Sequence, residues 1–325
     1  MGVRASAPAK VILFGEHFVV YGEPALVAAI DRRAYAEAEE RKDELIRISS
    51  RDLGVSGVFH GGAFTPEVGG NPAEGVLRPI WVAVREAIRQ SGAGVGVDVE
   101  VWSGIPVAAG LGSSAAVAAA AYTATAHLLG LRPSGDEVFK AALEAEKLVH
   151  GTPSGVDPAI SAYGGVLLYS KGEGIRRLNV GMEIPMVIGN TGVERSTGAL
   201  VSSVRSLRSR FPALVDPVIR LGGRLTLRAL DALKAGDLET LGSLMNINHG
   251  LLWAVGVSHP KLDRLVHAAL EAGALGAKLT GAGGGGCMIA LARRESLRAV
   301  AGAIEDEGGV AIIAGKSDVG VRVES

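Results

Sequence analysis

A glycine and serine loop that runs directly into an alanine-rich helix constrains this chain more than any other feature. The loop is Pro106-Val-Ala-Ala-Gly-Leu-Gly-Ser-Ser-Ala115. Gly110 and Gly112 allow the backbone to turn with its N–H groups pointing inward, and Ser113 and Ser114 lie where a helix N-terminus favours an anion. Such a loop suits phosphate groups, with a serine hydroxyl able to ligate magnesium. It lacks the Lys-Ser/Thr ending of a Walker motif, and taken alone a turn that only caps a helix explains it equally well.

A second glycine-rich segment lies near the end of the chain. Lys278-Leu-Thr-Gly-Ala-Gly-Gly-Gly-Gly-Cys287 has five glycines among six consecutive positions, between a predicted helix and a predicted strand. Glycine loses more conformational entropy on folding than any other residue, so this run predicts a place where bare backbone is required. We expect close packing against another loop or a ligand. A flexible linker is disfavoured because regular elements adjoin the run on both sides.

Polar residues flank the first predicted strand, Val11–Phe14. Lys10 comes just before it, and Glu16 and His17 come just after it. A lone lysine or histidine is usually a surface residue or a satisfied core residue. These three residues therefore indicate a functional site only in combination with the other segments.

Two carboxylates are separated by eleven residues around a predicted turn. Glu146 lies on a predicted helix, residues 134–150, and Asp157 follows the turn Gly151-Thr-Pro-Ser-Gly-Val. Glycine and proline so close to a helix end allow the two carboxylates to approach each other. Near a phosphate loop, such a pair suits one metal ligand and one base. The alternative for Asp157 is a helix N-cap.

Composition excludes several classes of protein. The chain has 325 residues, 33 basic and 34 acidic side chains and 48% apolar residues, which indicates about two folded domains without the basic field of a nucleic-acid-binding protein. No stretch resembles a membrane span or an export signal. A single cysteine, Cys287, favours a reducing, cytoplasmic location. One glutamine and five asparagines favour a thermophilic source.

The first half of the chain mixes strands with two clear helices, and the second half is richer in helices. Glycine and charge interrupt the pattern between Lys171 and Glu183. We therefore predict an N-terminal lobe over residues 1–175 and a C-terminal lobe over residues 176–325.

Together, these segments resemble the GHMP kinase superfamily, whose three motifs occur here in the family's order from Lys10 to Gly286. Within it, three segments most resemble the mevalonate kinases: Lys10-Val-Ile-Leu-Phe-Gly-Glu-His17, Glu146-Lys-Leu-Val-His-Gly-Thr-Pro-Ser-Gly-Val-Asp157 and Asn190-Thr-Gly-Val-Glu-Arg-Ser-Thr197. The resemblance implies an α+β fold of two lobes, the first like ribosomal protein S5 domain 2 and the second ferredoxin-like. It implies transfer of phosphate from ATP to the primary hydroxyl of mevalonate, with Mg²⁺ as cofactor.

The resemblance also implies roles for individual residues. Asp157 takes or orients the hydroxyl proton, and Lys10 stabilises charge on the transferred phosphoryl group. Ser114 and Glu146 ligate Mg²⁺. The remaining roles are nucleotide binding by Pro106, Gly110, Leu111, Gly112, Ser113, Ser114, Gly281, Gly283 and Gly284, and mevalonate binding by Glu16, His17, Thr197 and Arg195.

Two alternatives stay open at this stage. One is another GHMP kinase, acting on phosphomevalonate or homoserine. The other is a non-catalytic ligand sensor with the same fold, although a sensor is expected to lose the phosphate loop or the base. The implied partners are ATP and mevalonate, with neither nucleic acid nor membrane, and a homodimer is a further expectation.

Overall fold

The computed structural model describes residues 2–105, 110–150, 153–194 and 196–324. Its strands are β1 (Val3–Phe14), β2 (Ala25–Arg41), β3 (Ile46–Ser50), β4 (Val55–His60), β5 (Ala63–Val68), β6 (Gly96–Ser103), β7 (Val166–Ser170), β8 (Gly174–Leu178), β9 (Met186–Asn190), β10 (Gly276–Thr280), β11 (Cys287–Leu291), β12 (Val310–Ala314) and β13 (Arg322–Glu324). Its helices are α1 (Ala73–Ser91), α2 (Ser113–Leu128), α3 (Gly135–His150), α4 (Val156–Tyr163), α5 (Thr197–Arg210), α6 (Pro212–Ala235), α7 (Leu238–Ala254), α8 (Pro260–Glu271) and α9 (Leu297–Asp306).

The first lobe is a large mixed sheet covered by helices. Its main path runs β13-β1-β2-β6-β3-β4-β5, and β7 pairs with β2 and carries β8 at its other edge. All of these pairs are antiparallel except β3 with β6. The helix α2 packs on β1 and β2. Its alanines are good helix formers, and their small side chains allow the helix to lie close to the sheet.

The second lobe is a four-stranded antiparallel sheet, in the order β10-β11-β9-β12. Every residue of β10 and β11 is buried. The helices α7, α8 and α9 pack against this sheet. The alternation of sheets and helices confirms the predicted α+β architecture of two lobes.

The C-terminal strand returns to the first sheet. β13 pairs with β1, and the buried guanidinium of Arg33 donates to the carbonyl oxygens of Val319 and Gly320 at 3.2 and 2.6 Å. The chain otherwise changes from the first sheet to the second between Leu178 and Met186. The division at residue 175 stays a prediction.

Across the four described ranges, no helix combines the length and the apolar character that crossing a bilayer requires.

Candidate active site

A cavity of about 500 Å³ lies where the two lobes meet. The first lobe contributes the end of β1, the loop before α2 and the start of α4, and the second contributes the start of α5 and the glycine-rich loop after β10. A volume of this size is typical of small-molecule sites. The lobes are tied together at its edge, because the Thr280 hydroxyl donates to the carbonyl oxygen of Ile12 at 3.0 Å and accepts from its N–H at 3.1 Å.

A lysine and a carboxylate meet on the wall of this cavity. Lys10 Nζ lies 3.1 Å from Asp157 Oδ1, with 10% and 28% of the two side chains exposed. Lys10 extends from β1, whereas Asp157 lies in the first turn of α4, which begins after Gly155 in a left-handed conformation (φ 77°). The structure thus brings together the two residues that the sequence assigns to catalysis.

Residues 110–114, the part of the predicted phosphate-binding loop that the structure describes and here called the phosphate loop, lie against this pair. The backbone N–H of Lys10 donates to the carbonyl oxygen of Leu111 at 2.9 Å, which joins the loop to β1. Gly112 has φ +76°, and a Cβ there would lie 2.8 Å from Lys10 Cγ and 3.4 Å from Asp157 Oδ2. Any side chain at residue 112 would therefore displace the lysine.

The N-terminus of α2 opens into the same cavity. The helix begins at Ser113 without a side-chain cap, and both Ser113 and Ser114 line the cavity. The first N–H groups of a helix have no partner within the helix, and its dipole favours an anion there. Gly110, Leu111 and Gly112 also line the cavity, whereas Pro106 lies outside the described residues.

Glu146 lies on α3, close enough to Lys10 and Asp157 for their charges to act on it. Its Oε2 atom is buried and has no hydrogen-bond partner within the described part of the chain. Burial raises the pKa of Glu146 to about 7, the negative charge of Asp157 adds to the rise, and Lys10 opposes it. A carboxylate in this position is one whose charge a cation would stabilise.

The donor chemistry of Glu146 and Ser114 fits magnesium bound with a phosphate ligand. Among the described residues no group of three or more His, Cys, Asp or Glu side chains could hold a metal alone. Mg²⁺ usually takes one or two carboxylates and completes its shell with substrate phosphates and water. The carboxylate of Glu146 and the hydroxyl of Ser114 are oxygen donors of this kind.

The glycine run after β10 is explained mainly by packing within the second lobe. A Cβ at Gly283 would lie 1.9 Å from the carbonyl oxygen of Val257, and a Cβ at Gly284 would lie 2.8 Å from Leu200 Cδ1. Gly281 instead lines the cavity, as does Ala282. Nucleotide binding by Gly283 and Gly284 stays a prediction, since close packing already requires glycine at both.

Residues assigned to the substrate also border this cavity. His17 and Thr197 line it, and Val19, Val20 and Val201 add an apolar wall. Glu16 also borders it, but Lys278 and Asn248 bind its two carboxylate oxygens. Arg195 lies outside the described residues.

A second cavity, which the sequence did not predict, adjoins the phosphate loop. It measures about 270 Å³ and shares Ser113 and Ser114 with the first cavity. Its walls are largely apolar and come from α1 and β6, including Val76, Pro79 and Trp102. In the sequence, the apolar residues of these elements are indistinguishable from ordinary core residues. No local sequence pattern therefore indicates this pocket.

Comparison with known proteins identifies the family. Residues 78–165 match the model of the GHMP kinases N terminal domain, and residues 229–310 match that of the GHMP kinases C terminal. The mevalonate kinase of Thermococcus onnurineus is 48% identical, over 100% of this chain and 99% of the relative. The chain belongs to the mevalonate kinase branch of the GHMP kinase family.

Solved structures of this family share the two-lobe architecture. The Methanococcus jannaschii mevalonate kinase superimposes with a TM-score of 0.82 at 28% identity, over 98% of each chain. The L. major mevalonate kinase in complex with R-mevalonate gives a TM-score of 0.81 at 27% identity, over 96% of this chain and 95% of that one. Both the fold and the family that the sequence motifs predict are confirmed.

Proposed function

We propose that this protein transfers the γ-phosphoryl group of ATP to the C5 hydroxyl of mevalonate, giving 5-phosphomevalonate and ADP. The observation that carries the proposal is the Lys10–Asp157 pair at 3.1 Å beneath the phosphate loop. The cavity combines the loop before α2 with polar and apolar side chains that a small substrate can contact. Phosphoryl transfer needs this arrangement, because it is catalysed mainly by positioning and by charge stabilisation.

ATP spans the two cavities in this proposal. The segment Gly110–Ser114 and the N-terminus of α2 bind the phosphates through backbone N–H groups. Ser113 and Ser114 belong to both cavities, so a nucleotide held there extends naturally into the apolar one. We assign the adenine to that pocket, where Val76, Pro79 and Ile80 provide apolar contact surfaces.

Asp157 and Lys10 act on the reacting hydroxyl. Asp157 accepts its proton or orients it toward the phosphate, and Lys10 stabilises negative charge on the transferred phosphoryl group. Ser114 and Glu146 would hold Mg²⁺, which when bound neutralises charge on the phosphates. Because Gly112 has no side chain, Lys10 has room to reach Asp157.

Mevalonate occupies the other end of the cavity. His17 and Thr197 offer hydrogen bonds to its polar groups, and Val19, Val20 and Val201 contact its apolar carbon chain. We also retain Arg195 as a partner for its carboxylate, on the strength of the family motif alone.

Loss of the proposed magnesium ligands should change the metal requirement. We expect Ser114→Ala and Glu146→Gln each to lower kcat and to raise the Mg²⁺ concentration that gives half-maximal rate. Both proteins should fold, since Ser114 borders the cavity and the buried Glu146 Oε2 atom has no hydrogen-bond partner to lose within the described part of the chain. A magnesium titration of initial rate is the measurement, and curves that coincide with the wild type for both variants would remove these residues from the metal site.

Loss of the histidine should affect mevalonate selectively. We expect His17→Ala to raise KM for mevalonate more than KM for ATP, since His17 lines the cavity beside Val19 and Val20 and does not belong to the loop before α2. Steady-state kinetics with each substrate varied in turn give both constants. An equal rise in both would indicate that the local fold has been lost and would contradict a direct contact.

A substrate panel tests the proposal against its alternatives. The purified protein is mixed with ATP and Mg²⁺, and ADP release is followed after addition of mevalonate, phosphomevalonate, homoserine or galactose. We expect release with mevalonate alone. Release with phosphomevalonate or homoserine alone would favour a different kinase, and binding of both ATP and mevalonate without ADP release would favour a sensor.

A cytoplasmic location and a homodimer stay predictions.

A further inference from the structure

A strained turn presents His17 to the cavity. His17 has φ 59° and ψ −42°, and it is the one non-glycine residue with positive φ in the described part of the chain. The N–H of Phe18 donates to the carbonyl oxygen of Glu16 at 2.6 Å. A backbone hydrogen bond that spans one residue with positive φ defines a γ-turn of the rare and strained type. Such a conformation persists only where the surrounding structure holds it.

Contacts from the second lobe hold the last two residues of the turn, His17 and Phe18. The His17 Nε2 atom donates to the carbonyl oxygen of Ala282 at 2.7 Å, in the loop after β10. The Phe18 ring is buried against α6, where a Cβ at Gly222 would lie 2.1 Å from Phe18 Cδ2. Both contacts cross from the first lobe to the second.

The second lobe also binds the first residue of the turn, through a buried ion pair. Lys278 Nζ, on β10, donates to Glu16 Oε1, and both side chains are fully buried. Asn248 Nδ2, on α7, donates to Glu16 Oε2 at 3.2 Å. Lys278 Nζ also donates to the carbonyl oxygen of Leu279 at 2.7 Å. Burial lowers the pKa of Lys278, and the charge of Glu16 opposes that effect.

A buried ion pair needs a reason other than stability. Removing two charges from water is costly, and replacing such a pair with apolar residues is often neutral or stabilising. The best-attested use of a buried pair is to fix one arrangement of the elements it joins. Here the joined elements are the turn that carries His17 and the strand that leads into the glycine-rich loop.

We infer that Lys278 is a positioning residue for mevalonate: by binding Glu16 it fixes the strained turn that aims His17 into the cavity. Glu16 then acts through the turn and not by contact with the substrate, since its carboxylate oxygens are already bound by Lys278 and Asn248. The inference rests on the proposed function, in which mevalonate occupies the His17 end of the cavity.

The test uses a variant that contains no buried charge. Lys278→Met alone would leave Glu16 buried without its counter-charge, so the paired variant Glu16→Gln/Lys278→Met is the main one. We expect it to melt near the wild-type temperature, to show KM for mevalonate raised about 10- to 100-fold, and to keep KM for ATP close to wild type. Gly222→Ala places a methyl group against the Phe18 ring, on another side of the turn. It should likewise raise KM for mevalonate and leave KM for ATP close to wild type.

A second measurement shows whether Lys278 acts through His17. His17→Ala should raise KM for mevalonate strongly in the wild-type background and much less in the paired-variant background, because the histidine is already misplaced there. Val300→Ala, in the core of the second lobe on α9, controls for lost stability and should leave both KM values unchanged.

Three results would overturn the inference: a wild-type KM for mevalonate in the paired variant, an equal rise in KM for ATP, or effects of His17→Ala that are the same in both backgrounds. Failure of the proposed function is distinguishable, because the wild-type protein itself would then release no ADP with mevalonate.

Discussion

Asp157→Asn is expected to lower kcat by about 10²–10⁴-fold, the usual contribution of a general base. Asparagine keeps the size of the side chain but removes the charge that accepts or steers the proton. KM for mevalonate and for ATP should change little, because the phosphate loop and the His17 turn are untouched. Steady-state kinetics, together with a binding measurement for each substrate, check this expectation.

Asp231→Asn is the matched control for Asp157→Asn. Asp231 lies on α6 with 64% of its side chain exposed, away from the cavity lining, so turnover should be unchanged. Near wild-type turnover in Asp157→Asn would mean that the base assignment is wrong.

Lys10→Met is expected to lower kcat by a similar factor. The methionine retains an unbranched side chain of comparable length but removes the charge beside Asp157. The double variant Lys10→Met/Asp157→Asn should lose less than the product of the two single losses, because groups that act as a unit are not additive. Fully multiplicative losses would contradict a joint role.

Lys147→Met is the matched control for Lys10→Met. Lys147 lies on the exposed face of α3 and pairs with Glu144 three residues earlier. Its replacement should leave kcat and both KM values at wild-type levels.

Parts of the candidate site could be predicted because short-range patterns specify their local structure, whereas the roles of the residues come from the family resemblance and stay predictions. The loop ending in Ser113 and Ser114 combines glycines, hydroxyls and a helix start within ten residues, and Glu146 and Asp157 flank a turn that must be tight. The helix predicted over residues 134–150 coincides with α3, and the strand predicted over Val11–Phe14 forms the end of β1. In these segments, local pattern and final structure agree.

Other parts of the fold depend on contacts that local sequence does not report. β2 extends over 17 residues, and its alternation is hidden because the pairing changes along its length, with β7 at one end and β6 at the other. The return of β13 to β1 joins residues more than 300 positions apart. Tertiary contacts determine such strand pairings, and the β-propensity of either strand does not.

The environment of Glu16 shows the same limit within the site. The sequence predicts Glu16 and His17 together as substrate contacts. Both residues line the cavity, but the Glu16 carboxylate is already bound by Lys278 and Asn248, and both roles stay predictions. A signal was present, since Lys278 lies between two apolar residues, Ala277 and Leu279, shortly before the glycine run. A charge at such a position implies a buried partner, but only the fold identifies it.

The position of the phosphate on the product tests the central claim most directly. The wild-type enzyme is incubated with ATP, Mg²⁺ and mevalonate labelled with ¹³C at C5, and phosphorus–carbon coupling in the product is read by NMR. The Lys10–Asp157 pair, acting on a primary hydroxyl beneath the phosphate loop, predicts coupling between ³¹P and C5. A phosphorylated product without that coupling, with phosphate on the tertiary C3 oxygen, would contradict it.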